Sequence, residues 1–144
     1  MKRLLLSVLT TLTLLNGVAS ADVAPIDQAA TAIEEGAIDR ARELLTGLLQ
    51  SEPDNVEALL KLGGLELGSG KYAEAIELLK KAASLDAATP RPFIGLALAY
   101  VHTGRGVLAH AAIQEAIRRD PGKAEALKPL LDRLAQADAP PVAH

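Results

Sequence analysis

Three consecutive blocks of 34 residues, Asp22 to Asn55, Val56 to Thr89 and Pro90 to Lys123, follow one another without an insertion or deletion. Superposed, they place Gly36, Gly70 and Gly104 in one column, Ala41, Ala75 and Ala109 in a second, and Leu45, Leu79 and Ile113 in a third. A repeat of this length is the mark of a solenoid, in which each unit buries its apolar faces only by stacking on its neighbours. Stacking of that kind yields an extended binding surface rather than an enclosed reaction cleft.

Inside each block the apolar residues recur at helical spacing, and glycines interrupt them at Gly36, at Gly68-Ser69-Gly70 and at Gly104-Arg105-Gly106. A second interruption falls at Pro53 and Pro121, with Ala87 in the same place in the middle block. Each block therefore reads as two helices joined by a tight turn. The pattern predicts helices over 25–35, 38–51, 55–67, 72–84, 90–103, 107–119 and 123–137, with no strand. Asp54 followed by Glu57 is a capping-box pattern, and Thr89 before Pro90 places an N-cap ahead of a first-turn proline. The last helix, 123–137, carries Leu127, Leu130, Leu131 and Leu134 on one face and charges elsewhere, which suits a polar-backed cap on the array. Pro129 inside it predicts a kink.

The chain begins with Lys2 and Arg3, a mostly apolar run from Leu4 to Leu15, and the small residues Ala19-Ser20-Ala21. This is the layout of a secretory signal peptide cut after Ala21, so residues 1–21 are expected to be removed and the protein exported, with a periplasm the expected destination. The run is shorter than the ~20 apolar residues that span a bilayer, which excludes a membrane anchor. With no cysteine in the chain, neither a disulfide nor a lipidated cysteine is possible. Residues 138–144, with Pro140-Pro141, read as a frayed tail.

Charge narrows the partners. The whole chain has a net charge of −3, and loss of Lys2 and Arg3 makes the remainder more acidic still, so nucleic acid is excluded for want of a basic face. The acids concentrate in residues 22–88, which carry a net −7, against a net +2 for residues 89–144. Such polarity suits a solvated surface, the steering of a partner, or end-to-end association of like molecules.

In the middle block Leu59, Leu62-Gly63, Gly70, Tyr72, Ala75, Leu79 and Ala82 stand where the tetratricopeptide repeat (TPR) family places its large, small and turn residues. The third block offers Phe93, Leu96-Ala97, Tyr100, Gly104, Ala109, Ile113, Ala116 and Pro121, and the first Ala29, Gly36, Ala41, Leu45 and Pro53, but Pro25 and Leu48 depart from the pattern. The chain thus resembles that family over 22–123. The resemblance implies an all-α, right-handed α-solenoid of three helix-turn-helix repeats (22–55, 56–89 and 90–123) with a capping helix at 123–137. It also implies that the first helix of each repeat lines a concave groove. Carried over residue by residue, that groove holds Ile26, Ala30 and Ile33, then Leu60, Gly64 and Leu67, then Arg91, Ile94, Leu98, Val101 and His102. It is apolar along its length.

Few residues invite catalysis. His102, His110 and His144 lack neighbours spaced as metal ligands or triad partners, and Gly68-Ser69-Gly70-Lys71 lacks both the phosphate-loop spacing and a preceding strand. No cofactor, metal or catalytic residue is expected. Of the Lys, Asn and Arg side chains with which family members grip a peptide's C-terminal carboxylate the groove offers only Arg91, so an apolar or amphipathic protein segment is the expected ligand. Two roles follow: an exported adaptor or assembly accessory, or a self-associating protein whose groove is closed by an identical subunit.

Overall fold

The computed structural model describes residues 24–137; the expected signal peptide and tail lie outside them. The described residues form seven α-helices, α1 (Pro25–Glu34), α2 (Ile38–Ser51), α3 (Val56–Gly68), α4 (Tyr72–Leu85), α5 (Arg91–His102), α6 (Gly106–Arg119) and α7 (Ala124–Ala137), with a 3-10 turn, Pro121–Lys123, before the last. No strand occurs among them.

The glycine column makes the turns. Gly36, Gly70 and Gly104 have φ of 73°, 76° and 70°, a left-handed conformation that costs a residue with a Cβ roughly 1–2 kcal/mol. At each turn the next residue's N–H reaches back over five positions. Ala37 donates to the Ala32 carbonyl, Lys71 to Glu66 and Arg105 to Tyr100, all at 2.8 Å. With the glycine's own N–H bonded three residues back, this is a Schellman ending, which satisfies carbonyls the helix end would otherwise leave open.

Two start signals are corrected. The N-cap of α3 is Asn55, whose side-chain oxygen accepts the Ala58 N–H at 3.0 Å. Asp54 lies one position too early to reach that amide and pairs with Lys81 at 3.1 Å instead. The fifth helix starts at Arg91 rather than Pro90, and Thr89 Oγ1 accepts the Arg91 N–H at 3.4 Å from just outside it. The last helix continues through Pro129.

Every helix packs on the next. In addition α3 touches α1 and α5, whereas no Cα of one even-numbered helix comes within 8 Å of a Cα in another. Odd helices that crowd together and even helices that spread apart curve the stack, with α1, α3 and α5 on the concave side. The small column permits the close pairing: Ala41, Ala75 and Ala109 have no exposed surface, and a larger side chain there would hold two helices apart. Leu79 of α4 fills the space between α3 and α5. A Cβ at Gly63 would lie 2.9 Å from its side chain and one at Gly95 2.8 Å, so both helices approach it through a missing side chain.

The core divides into two clusters that meet at α3. One gathers Ala29, Ala41, Leu45, Ala58 and Leu62; the other runs from Leu59 through Ile76, Leu96 and Ile113 to Leu134. Leu49 and Leu78 pack against both and join them.

Candidate functional site

The concave face is not a uniform channel. Two separate depressions interrupt it, and they differ in what closes them. The first, about 430 Å³, lies over α1 and α3 and is lined by Ile33, Ile38, Leu60, Lys61, Gly64 and their neighbours. The second, about 590 Å³, lies between α5 and α7, where Leu98, Val101 and His102 face Leu130, Arg133 and Leu134.

Repeat geometry explains why the surface opens twice. The first residue of each even helix faces the end of the next odd helix, and this column holds Ile38, Tyr72 and Gly106. Tyr72 finds His102, and the two rings stack with centroids 4.8 Å apart and planes 6° from parallel, which fills the middle junction. Ile38 and Gly68 both line the first depression, and Gly68, with nothing within 4 Å of the place a Cβ would take, leaves it open. Gly106 offers no side chain at all. At that last junction the helices themselves part: α5 touches α3, but no Cα of α7 comes within 8 Å of one in α5.

An ion-pair column reports the same separation. Glu57 and Arg91 occupy equivalent places in consecutive repeats and are joined at 2.7 Å. The hydrogen bond from Arg91 lowers the pKa of Glu57 against the desolvation that would raise it, and Lys61, 3.3 Å away, adds to the lowering. Bonded to Glu57, Arg91 is in turn held above its ordinary pKa. The next place in the column is Glu125, at the start of α7, and it forms no ion pair among the described residues.

The expected groove residues fall into three sets. Ile33, Leu60 and Gly64 meet in the first depression, and Leu98, Val101 and His102 in the second. Ile26, Ala30, Leu67, Arg91 and Ile94 line neither. Two expectations need correction. Leu60 is only 8% exposed and belongs to the core, because α3 is flanked by α1 on one side and α5 on the other. Arg91 is engaged by Glu57 rather than free for a ligand. Leu98, in the exposed column of Gly64, is 39% exposed, while Leu96 on the same helix is 6% exposed. Gly64 has nothing within 4 Å of the place a Cβ would take, so internal packing does not require a glycine there.

Sequence reasoning missed the α7 side of the second depression. The sequence places Leu130 and Leu134 on the apolar face of the cap and Arg133 among its charges, and nothing in it shows that the α5–α7 junction stays open. A buried ion pair was missed too. Glu66, 5% exposed, accepts Arg42 Nε at 2.6 Å and lies 3.7 Å from Lys71 Nζ. Its signal was available, since Glu66 shares a column with Ala32 and Tyr100, positions that face inward. The pair ties α2 to α3 beside a depression of about 540 Å³ lined by Leu62, Glu74, Glu77 and Leu78. Among the described residues no group of three or more His, Asp or Glu side chains could hold a metal ion, and no helix is long and apolar enough to cross a membrane.

Comparison with known proteins agrees with this architecture. Among solved structures the chain is similar to MamA, at a TM-score of 0.72 and 29% identity, covering 78% of this chain and 61% of that one. It also resembles the first TPR of Spaghetti (RPAP3) bound to HSP90 peptide SRMEEVD, at a TM-score of 0.74 and 17% identity over 78% of this chain and 89% of that one. The Yersinia enterocolitica type III secretion translocator chaperone SycD matches at 0.73 and 19%, over 81% and 92%. These last two likenesses are of fold alone. Among curated proteins, the protein CTR9 homolog of Arabidopsis thaliana is 30% identical over 96 residues, 66% of this chain but 9% of that protein. The chain thus spans under two thirds of MamA and a small part of the CTR9 homolog. Two family models, each described as Tetratricopeptide repeat, match residues 26–92 and 66–134, and the chain belongs to the tetratricopeptide repeat family.

Proposed function

We propose that this protein is an exported, non-catalytic adaptor that holds an apolar or amphipathic segment of another protein on its concave face. The observation that carries the reading is Leu98. A leucine 39% exposed in the middle of a helix, over a depression of about 590 Å³ lined by further leucines, is apolar surface left in water where the fold could have buried it. Support also comes from the family, in which a repeat domain of the same fold, the first TPR of Spaghetti, is bound to a peptide. Export rests on the sequence of residues 2–21 alone.

Mild cross-linking in cell-envelope extract, followed by identification of the protein joined to wild type but not to Leu98→Glu, tests the binding role. Recovery of the same protein with both would place the contact elsewhere. Export has its own test, the intact mass of protein from the exported fraction. A chain starting at Asp22 supports it, and a retained Met1 overturns it.

A further inference from the structure

Resting on the adaptor reading, we propose that the cleft between α5 and α7 is the anchoring subsite and that it selects an acidic amphipathic segment, with an apolar side chain on the leucines and a neighbouring side-chain carboxylate on Arg105 and Arg133. The floor is Leu98, Val101, Leu130 and Leu134. Arg133 lines the cleft directly, and Arg105 lies between the two lining glycines, Gly104 and Gly106.

These arginines are unlike most cations of the molecule. Among the described residues Arg42, Arg91, Arg118 and Arg119 each have a carboxylate partner, as do all the described lysines. Arg40, Arg105 and Arg133 do not; Arg133 lines the cleft, and Arg105 sits in the turn whose flanking glycines line it. No acid lines it. No acid stands three or four places from Arg133 on α7, and the adjacent Asp132 is bonded to Lys128 at 2.6 Å. An apolar floor with uncompensated positive charge at its rim is complementary to a ligand that is apolar on one side and negative beside it. Guanidinium groups suit carboxylates in particular, because their forked donors match both oxygens. The first depression lacks this character, since its one cation, Lys61, is already paired with Glu57.

The test uses three short fluorescein-labelled amphipathic peptides with one leucine pattern, whose polar positions are glutamate, glutamine or lysine. Binding is read by fluorescence anisotropy at low and high salt. The glutamate peptide should bind about tenfold more tightly than the lysine peptide, the equivalent of about 1.4 kcal/mol, and the preference should shrink at high salt. Arg105→Gln with Arg133→Gln should abolish most of the preference, and Leu98→Gln should weaken all three peptides. Equal binding of the three, lost in Leu98→Gln, would overturn the charge selection and leave the adaptor reading standing. An acidic preference that survives the double arginine variant but vanishes in Ile33→Glu would move the subsite to the first depression. If no peptide binds, while the protein dimerises and Leu98→Gln makes it monomeric, a second copy occupies the cleft and both readings fall.

Discussion

The two depressions of the concave face share an origin and differ in their construction. Over α1 and α3 the odd helices touch, Leu60 is drawn into the core, and Lys61 is satisfied by Glu57. Between α5 and α7 the helices stand apart, Leu98 is exposed, and Arg133 is unsatisfied among the described residues. The Tyr72–His102 stack divides them. A repeat array thus acquires a distinct site where its regular packing stops, because the terminal helix lacks a successor to hold it against the stack. Leu60 and Ile94 share a column, yet Leu60 is buried and Ile94 only half-buried, so equivalent columns in a sequence alignment need not have equivalent exposure.

The largest effect should appear when the same charge is placed in both depressions. Leu60→Glu puts a carboxylate where 8% of the residue is exposed, and an unpartnered buried charge should cost roughly 4 kcal/mol or more. Leu98→Glu, at 39% exposure, should cost about 1 kcal/mol or less. Denaturant melts followed by circular dichroism compare the two. Equal losses would mean that the second cleft is closed in solution, and the contrast drawn above would fail.

Overpacking tests whether the repeats beneath the two sites are built alike. Ala41→Leu under the first and Ala109→Leu under the second both insert a branched side chain where no surface is exposed, and each should destabilise by roughly 1–3 kcal/mol. Similar midpoints for the two variants would confine the difference between the sites to their concave surface. A tolerated Ala109→Leu would show that slack at the open end extends into the α5–α6 pairing.

Much of this architecture was legible beforehand, and the reason is its locality. Each helix boundary is written in the glycine column and the caps, which act over a few residues, so the helices and their pairing followed from Gly36, Gly70 and Gly104. Exposure on the concave face was less legible. Leu60 and Ile94 stand in the same register of successive first helices and read alike in sequence, yet Leu60 is core and Ile94 only half-buried, because burial depends on how many neighbours flank the helix; Leu98 stands one turn further on, in the exposed column of Gly64. Likewise Arg133 became visible as a rim residue only once α7 was seen to stand off from α5. Nor does an alignment column show that Arg91 spends its charge on Glu57.

A smaller change probes the first depression alone. Gly64 is exposed, its surroundings are open and its helix continues past it, so Gly64→Ala should stabilise the protein by about 0.5–1 kcal/mol through helix propensity. It should leave peptide binding at the α5–α7 cleft unchanged. Loss of binding in this variant would show that ligand backbone approaches Gly64 and that the two depressions work together, measured by the same anisotropy titration.

The smallest expected effect concerns the ion pair present at the α3–α5 junction and missing at the next. With the pKa of Glu57 lowered by the Arg91 hydrogen bond, its contribution is fully present above the ordinary carboxylate range and is lost as pH falls through its folded-state value. Both side chains are partly in water, at 56% and 43% exposure, so the pair should be worth no more than about 1 kcal/mol. Glu57→Gln should therefore lie slightly below wild type in stability at neutral pH and converge with it in acid. Glu125→Gln, at the equivalent place on α7, should show neither the offset nor the convergence, because no partner reaches it. If both variants gave the same pH-dependent offset, Arg91 would be shared between Glu57 and Glu125 in solution, α7 would sit against α5, and the C-terminal cleft would be narrower than its leucines require.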